Sequence, residues 1–306
     1  MPIATRRGFP EPKKWSNLTR EFESQIGEST MRQLFLAVCS VALTATVALA
    51  QQPLRTAVDG TFAPHAFPDL SGGIQGFNVD LAKEIGKRLK RPVEIQATQF
   101  SGILPALQAG TLDFVAAPVT ATKERADNLL FTEGYLNTDF QFLIKKAGEQ
   151  IKDLDQLKGK VVAVNKGSAY DSWARGLESK HGWTVESFGT QSDAVQAVLS
   201  GRAAANITGN TVAAHAAKAN PQLELSYLHS TGLVWAAPLR KDQGALREEI
   251  ENAIECIKTD GTMSAMHEKW FGAKPAPGSA AVTVFPGTGV PGLPGYDDKP
   301  RAPKCS

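Results

Sequence analysis

The chain has 306 residues, 42% of them hydrophobic, and its 33 lysines and arginines nearly balance its 31 aspartates and glutamates. This composition excludes a largely disordered chain, and the balanced charge, with no interleaving of basic and aromatic residues, gives no reason to expect a nucleic-acid-binding protein. The length is sufficient for two compact lobes.

An apolar segment lies near the N-terminus. Residues 34–50 are apolar or small throughout and end in Ala-Leu-Ala, the small-x-small pattern that signal peptidase reads. We therefore expect a signal peptide at 31–50, cleaved after Ala50. A membrane anchor is the alternative, but a segment this short is marginal for crossing about 30 Å of hydrocarbon. Residues 1–30 are polar and aperiodic, so we interpret them as a non-native or mis-assigned extension before a start at Met31.

Export would place the protein in an oxidising compartment, the periplasm. Two cysteines, Cys256 and Cys305, follow the predicted cleavage site. They could form one disulfide bond that ties the C-terminal tail to the body of the protein, or they could remain free thiols.

From Leu54 onward, short apolar strands alternate with amphipathic helices, which predicts an α/β fold with largely parallel sheets. Ser101 is the expected N-cap of one helix and Gly110 its C-terminal stop, while Thr122 opens another helix. In this first set, the strands are predicted at 54–58, 93–95 and 114–117, and the helices at 79–89, at 101–109 and from 122.

A second set of elements repeats this alternation. Residues 106–120 and 197–211 align without a gap, and both have the pattern of a helix, a glycine stop, a buried strand and a polar turn. Two lobes of related construction would produce such a repeat. In the second set, the strands are predicted at 161–164, 185–188 and 203–207, and the helices after Ser168 and from Ser192.

The tail after Gly272 is rich in proline and glycine and shows no periodicity. Residues 287–292 match the glycine pattern of dinucleotide-binding loops, but Pro291 prevents the helix that such a site needs. We therefore expect no dinucleotide cofactor there, and a tail that is either extended on the surface or disordered.

Arg125 lies in the first turn of the helix that Thr122 caps, where the helix dipole disfavours a cation. An arginine beside free helix N–H groups can donate two parallel hydrogen bonds to a carboxylate. A solvated arginine or a structural ion pair is the alternative.

Other polar residues also follow predicted strands, where ligands of open α/β sheets bind. The turn 165–168 ends in Ser168, which either opens an anion-friendly helix N-terminus or is an ordinary cap. Asp59 with Phe62 and Phe100 could hold a cationic or polar ligand group, or they could be a turn aspartate and two core residues.

Seven segments of the chain together carry a family resemblance. From Leu54 to Gly272 the chain resembles the periplasmic solute-binding proteins of polar amino acid ABC importers, which include the glutamine- and histidine-binding proteins. The segments are 61–64 (TFAP), 76–81 (GFNVDL), 100–107 (FSGILPAL), 122–125 (TKER), 131–135 (FTEGY), 159–164 (GKVVAV) and the pair 260–262 (DGT) with 269–272 (KWFG).

The resemblance implies two lobes, each a mainly parallel sheet flanked by helices, joined by two crossover strands. It also implies that Arg125 binds the ligand α-carboxylate beside Thr120. Ser168 and Ala169 would close over this carboxylate from the second lobe. The predicted lobes are 51–138 with 235–273 and 139–234, and the composition change sets the tail at 274–306. Our hypothesis for lobe closure places the hinge at 135–139 and 231–234. The predicted ligand-binding residues are Asp59, Phe62, Phe100, Pro118, Thr120, Arg125, Asn165, Ser168, Ala169 and Asn210.

Three positions depart from the family pattern. Gly209 stands where members commonly have an aspartate that pairs with the ligand α-ammonium, so Asp59 or Asn210 must meet the ammonium, or the ligand lacks one. Pro118 replaces the usual glycine or serine and removes a backbone donor. Asn165 stands where the glutamine-binding protein has a lysine, so glutamine itself is not implied.

The expected function is therefore binding without chemistry and without a cofactor. The partners would be a small carboxylate, such as an amino acid, and an ABC permease of the inner membrane, and the protein would be monomeric. A periplasmic dehydratase with Asp59 or Glu133 as proton donor is the main alternative. The input domain of a signalling protein would need a second membrane segment and an output domain, and neither is expected after Gly272.

Overall fold

The computed structural model describes residues 52–305. The predicted signal peptide at 31–50 and the polar extension at 1–30 lie outside the described residues and stay predictions. Within the described range, no helix is both long and apolar enough to cross a membrane.

The first lobe begins with β1 (Leu54–Val58), which pairs in parallel with β4 (Val93–Ala97). Val79, Ala82 and Ile85 are buried on one face of the helix between these strands, as the periodicity predicts. The intervening elements are β2 (Phe67–Pro68), β3 (Ile74–Gln75) and α1 (Phe77–Arg88).

Helix α2 (Phe100–Gln108) has its N-cap two residues before the predicted cap, so Ser101 lies inside the helix and is not its cap. Gln99 is the N-cap and makes no side-chain hydrogen bond there. Phe100 packs into the same core cluster as Ile103 and Leu107, three and seven residues further on, and this packing makes Phe100 the first helical residue.

The apolar segment 114–117 does not form the regular strand that the sequence predicts. Its backbone N–H groups donate to different partners: Val115 to the carbonyl of Pro238, Ala117 to the carbonyl of Ala57, and Ala116 to the hydroxyl of Thr56. The segment is therefore buried between β1 and a later strand without a continuous ladder. The regular pairing starts only at β5 (Val119–Thr120).

The first half of the lobe ends with α3 (Lys123–Asn128) and β6 (Leu129–Phe131). The hydroxyl of Thr122 accepts a hydrogen bond from the Arg125 N–H, which confirms Thr122 as the cap of α3.

Strand β7 (Leu136–Lys145) then leads into the second lobe. Two predicted elements are displaced there: α6 starts at Gln191 behind the cap Thr190 instead of at Ser192, and β10 lies two residues later than predicted. In chain order, a short 3-10 helix (Leu154–Leu157) is followed by β8 (Val161–Asn165), α4 (Ala169–Gly176), α5 (Glu178–His181), β9 (Thr184–Phe188), α6 (Gln191–Leu199), β10 (Ala205–Gly209) and α7 (Asn210–Ala219).

Strand β11 (Leu223–Ala236) returns the chain to the first lobe and pairs antiparallel with β7 along most of its length. One six-stranded sheet therefore runs in the order β5-β11-β7-β10-β8-β9, with β8, β9 and β10 parallel to one another. The fold is the predicted two-lobed α/β architecture, with β7 and β11 as the crossover strands. The lobe boundaries at 138/139 and 234/235 stay predictions.

The first lobe is completed by β12 (Pro238–Arg240), α8 (Gly244–Thr259) and α9 (Thr262–Phe271). Strand β12 pairs antiparallel with β6 and also receives the Val115 N–H, which links the two halves of the lobe. The tail beyond α9 is extended and rich in turns, and it has no helix at residues 287–292. Its end is joined to α8 by a Cys256–Cys305 disulfide bond, one of the two states that the sequence allows.

Candidate functional site

A cleft between the lobes brings together loops that follow strands of both sheets. Asp59 directly follows β1, and Asn165 is the last residue of β8. A small cavity of about 10 Å³, which is room for about one water molecule, lies where these loops meet. Its lining consists of Asp59, Phe62, Phe100, Pro118, Asn165, Ser168 and Tyr170.

Arg125 is half-buried and connects the two lobes. One guanidinium nitrogen donates to the carbonyl of Thr120 in the first lobe at 2.9 Å, and the other donates to the carbonyl of Gly167 in the second lobe at 3.0 Å. The guanidinium carbon lies 5.8 Å from the centroid of the Phe100 ring.

The charge of Arg125 has no partner inside the described part of the chain, where no carboxylate oxygen lies within 4 Å of its guanidinium nitrogens. Burial lowers the pKa of Arg125, because desolvation penalises its charged form. The structural ion pair considered above is therefore not formed between residues 52 and 305, and the guanidinium retains hydrogen-bond capacity for an anion.

Asp59 and Asn165 meet directly across the cleft. The Asn165 amide nitrogen donates to one carboxylate oxygen of Asp59 at 2.7 Å, and the backbone and hydroxyl of Thr61 donate to the other oxygen. Asp59 is 2% exposed and Asn165 1%, so this is a desolvated carboxylate held by neutral donors. A cationic group that replaced Asn165 would meet a negative charge at short range.

Two further hydrogen bonds cross the cleft nearby. The backbone N–H of Gln191, at the start of α6, donates to the Thr61 hydroxyl at 3.1 Å. The second ring nitrogen of His65 lies 2.7 Å from the hydroxyl of Thr211 in α7. In this structure the lobes are therefore closed on one another.

His65 is fully buried at this contact. Its other ring nitrogen lies 2.8 Å from the Asn78 carbonyl oxygen, and the Asn78 amide group donates to the carbonyl of Ala116 and the hydroxyl of Tyr135. Since Asn78 offers only an acceptor to His65, that ring nitrogen carries the proton, and the other one accepts from Thr211. Burial lowers the pKa of His65 to about 3, so its ring is neutral.

The Trp235 indole lies against Gly209, the position that departs from the family pattern. A Cβ atom at Gly209 would lie 2.5 Å from the Trp235 ring, although the glycine φ lies outside the left-handed region. The ring itself is fully buried and packs edge-on against His65 with centroids 4.8 Å apart. Trp235 thus occupies the space into which a longer side chain at position 209 would extend.

A second cavity, of about 290 Å³, lies beside Arg125. Ala169 lines it together with Ser172 and Trp173, which lie three and four residues further along α4 and so share its face. Phe100 lines the small cavity and also contacts Arg125, so the two cavities are neighbours.

The structure brings the ten predicted site residues to different parts of the cleft. Asp59, Phe62, Phe100, Pro118, Asn165 and Ser168 surround the small cavity, and Arg125 and Ala169 line the larger one. Thr120 is buried and presents its carbonyl to Arg125. Asn210 lies at the start of α7, and its side-chain oxygen is buried without a hydrogen-bond partner in the described chain.

The residues near the cleft that were not predicted include four large side chains, those of Tyr170, Trp173, His65 and Trp235. Tyr170 and Trp173 could have been found, because they follow the predicted loop residues Ser168 and Ala169 in the same helix. His65 and Trp235 could not, since only tertiary packing brings these aromatic residues to the cleft.

Glu133 does not belong to this site, so its alternative role as a proton donor in the cleft is wrong. One of its carboxylate oxygens lies 2.6 Å from the Lys258 ammonium group, and the other accepts from the backbone of Phe285 in the tail. Both charged side chains are almost completely buried, and the pair ties the tail to the first lobe. No cluster of three or more candidate metal ligands occurs among residues 52–305.

Residues 54–273 match the family described as bacterial extracellular solute-binding proteins, family 3. The L-cystine-binding protein TcyJ of Escherichia coli strain K12 is 29% identical over 257 residues, covering 79% of this chain and 96% of that protein. An ancestral arginine-binding protein bound to arginine is 37% identical with a TM-score of 0.70, covering 73% of this chain and all of that one. An ancestral amino acid-binding protein, a precursor of cyclohexadienyl dehydratase, is 32% identical with a TM-score of 0.66, covering 72% and 96%.

Proposed function

Because the chain belongs to the family 3 bacterial extracellular solute-binding proteins, we propose that it captures an amino acid or a similar small carboxylate by lobe closure. In this proposal the closed, loaded protein is monomeric and delivers its ligand to an ABC permease of the inner membrane. The predicted cleavage after Ala50 would release it into the periplasm.

The observation that carries the proposal is the Arg125 guanidinium between the lobes. It touches a carbonyl of each lobe, has no acid partner in the described chain, and still has N–H groups available. A ligand carboxylate would supply the missing negative charge by two parallel hydrogen bonds. Thr120, Ser168 and Ala169 lie beside this position and are the proposed neighbours of the carboxylate.

Asp59 is the proposed partner of a cationic ligand group. Its buried carboxylate is held by neutral donors, and an ammonium or guanidinium group could displace the Asn165 amide when the lobes open. The faces of Phe62 and Phe100 line the same small cavity and suit an apolar or delocalised ligand part. Two of the named relatives bind amino acids, cystine and arginine, which supports this ligand class.

Lobe closure requires a hinge, which we place at residues 135–139 and 231–234 in the two crossover strands. Leu136 pairs with Trp235 there, and the register between β7 and β11 shifts between His229 and Leu233. A break in the ladder at this place would let the strands bend where they leave the first lobe.

A thermal-unfolding screen of the full chain tests the proposal. A ligand at 100 times its Kd raises the free energy of unfolding by about 2.7 kcal/mol, so a bound carboxylate raises the Tm. We expect arginine to raise the Tm more than glutamine or glutamate, because Asp59 favours a cationic side chain. Glutarate, the amine-free analogue of glutamate, tests whether an α-ammonium contributes at all beside Gly209 and Trp235.

The proposal fails if no amino acid and no small carboxylate in the screen shifts the Tm. Turnover is tested in the same samples, because a binding protein returns its ligand unchanged. A product that accumulates in proportion to protein concentration and time would favour the dehydratase alternative, with Asp59 as the remaining one of its two candidate proton donors.

A further inference from the structure

The C-terminal tail beyond residue 273, where the family match ends, follows a defined path across the first lobe. Its backbone N–H groups donate to side chains at successive points: Ala280 to Asn137, Phe285 to Glu133, and Gly289 to Glu251. Ala280 and Ala281 are each only 1% exposed, so this part of the tail is packed rather than loosely laid on the surface.

The tail also completes a buried ion pair. The Lys258 ammonium group lies 2.6 Å from Glu133, and it donates to the carbonyl of Gly134 and to the carbonyl of Thr283 in the tail. Lys258 and Glu133 are almost completely buried, and the Phe285 N–H satisfies the second oxygen of Glu133. A buried pair of this kind depends on every neighbouring hydrogen bond, so the tail and the pair stabilise each other.

These contacts lie where the crossover strands leave the first lobe. Gly134 precedes β7, and a Cβ atom there would lie 2.6 Å from Val234 of β11, so the two strands approach closely. Phe285, Val290 and Leu293 of the tail line a cavity of about 300 Å³ together with Gly134, Asn137 and residues 232–234 of the strands. The tail therefore faces both segments of the proposed hinge.

The far end of the tail is fastened to α8. Arg301 lies 2.7 Å from the carboxylate of Glu255, Asn252 exchanges two hydrogen bonds with Lys304, and Cys305 is bonded to Cys256. The disulfide closes a loop of 49 residues in sequence, which restricts how far a detached tail could move from the hinge.

We propose that residues 274–305 are a strap that restrains the hinge, and that the Cys256–Cys305 bond keeps it in place. The strap joins α8 to Asn137, which lies in the proposed hinge segment 135–139. Bending β7 at this place would break or distort the Ala280–Asn137 hydrogen bond, so a strap that stays bound favours the closed arrangement. The inference rests on the lobe closure of the proposed function. Its test uses the protein without ligand, so its failure and the failure of ligand binding are separate results.

Amide hydrogen exchange of the oxidised full chain and of the Cys305→Ser variant tests the strap. The Gln191 N–H donates across the cleft to Thr61, so its exchange reports lobe opening. In Cys305→Ser we expect Gln191 and the hinge segments 135–139 and 231–234 to exchange at least about fivefold faster. Val162 and Ala163 in β8, which pair with β9 and β10 inside the second lobe, should exchange at an unchanged rate.

Asn137→Ala provides a second test that leaves the disulfide intact. It removes the acceptor of the Ala280 N–H at the hinge, whereas Asn220→Ala removes an asparagine oxygen that accepts from the Gln222 N–H away from the tail and serves as the matched control. Faster exchange at Gln191 in Asn137→Ala, but not in Asn220→Ala, supports the strap.

Two results would overturn the proposal. If Cys305→Ser freed residues 279–297 while the hinge and Gln191 kept their rates, the tail would be only a cover for the first lobe. If the variant changed no rate at all, the disulfide would not hold the tail. Should Cys305→Ser fail to fold, the comparison of Asn137→Ala with Asn220→Ala decides alone, and equal Gln191 exchange rates in these two variants reject the strap.

Discussion

Arg125 is half-buried and Lys258 is almost completely buried, and burial lowers the pKa of each of these two cations. Lys258 is compensated inside the protein by Glu133 at 2.6 Å and by two carbonyls. Arg125 contacts two carbonyls, and within the described chain no carboxylate oxygen lies within 4 Å of its guanidinium nitrogens. The difference separates a structural cation, whose charge is fully paired, from a cation whose missing counter-charge a ligand can bring.

The comparison predicts the largest effect for the paired cation. Lys258→Ala should lower the free energy of unfolding by about 3–5 kcal/mol, because it leaves the Glu133 carboxylate buried without a partner. Denaturant unfolding of the full chain measures this. Replacing both members, with Lys258→Met and Glu133→Leu, should recover a large part of the loss. A loss below about 1 kcal/mol in the single variant would show that the pair is not desolvated.

Arg125→Ala should weaken ligand binding and leave stability nearly unchanged. For a ligand found in the Tm screen, the binding free energy should become less favourable by about 2–5 kcal/mol, since the ligand charge is left without its partner. The free energy of unfolding without ligand should change by less than about 1 kcal/mol, because no protein acid loses its partner. Calorimetric titration and unfolding of the same samples measure both, with the exposed Arg202→Ala as control. Unchanged affinity in Arg125→Ala would remove the arginine from the site.

The neutral histidine at the cleft gives a smaller, pH-dependent effect. Because the folded protein holds the pKa of His65 at about 3, below its ordinary value of 6.5, its contribution to stability is present above pH 6.5 and is lost as the pH falls. One group contributes at most about 1.4 kcal/mol per pH unit, or about 2 kcal/mol between pH 6.5 and pH 5.

Unfolding measured across this range, in the wild type and in His65→Gln, isolates the effect. The wild type should lose more stability on acidification than the variant does, because glutamine does not titrate. The charged and titratable groups that face His65 from neighbouring helices, His215 and His267, are unchanged in both proteins. Equal losses in the two proteins would mean that the His65 ring is accessible to water and protons.

Local signals predicted much of the fold. The spacing of Val79, Ala82 and Ile85 identified α1, and the hydroxyls of Thr122 and Ser168 cap the helices that the sequence assigned to them. These features depend on neighbours a few residues away, so a single sequence contains the information for them.

Features that depend on distant residues were missed or displaced. The segment 114–117 has a strand-like sequence, but its N–H groups bind three unrelated partners. Glu133 was considered as a proton donor because its ion-pair partner, Lys258, is 125 residues away in the sequence and could not be identified from it. In the same way, Asp59 and Asn165 were each expected at the site, but their direct hydrogen bond could not be foreseen because it exists only where two separately folded lobes meet.

Under the proposed function, that hydrogen bond would make ligand capture an exchange of one Asp59 partner for another. A ligand whose polar group bonds to Asp59 would first have to displace the Asn165 amide. Its affinity would then reflect the difference between the ligand–Asp59 bonds and the Asn165–Asp59 bond that they replace. A neutral ligand group would gain little binding free energy by this replacement, whereas a cationic group would gain a charge–charge interaction with Asp59. The Asn165 amide thus sets a threshold that the interaction of a competing solute with Asp59 has to exceed.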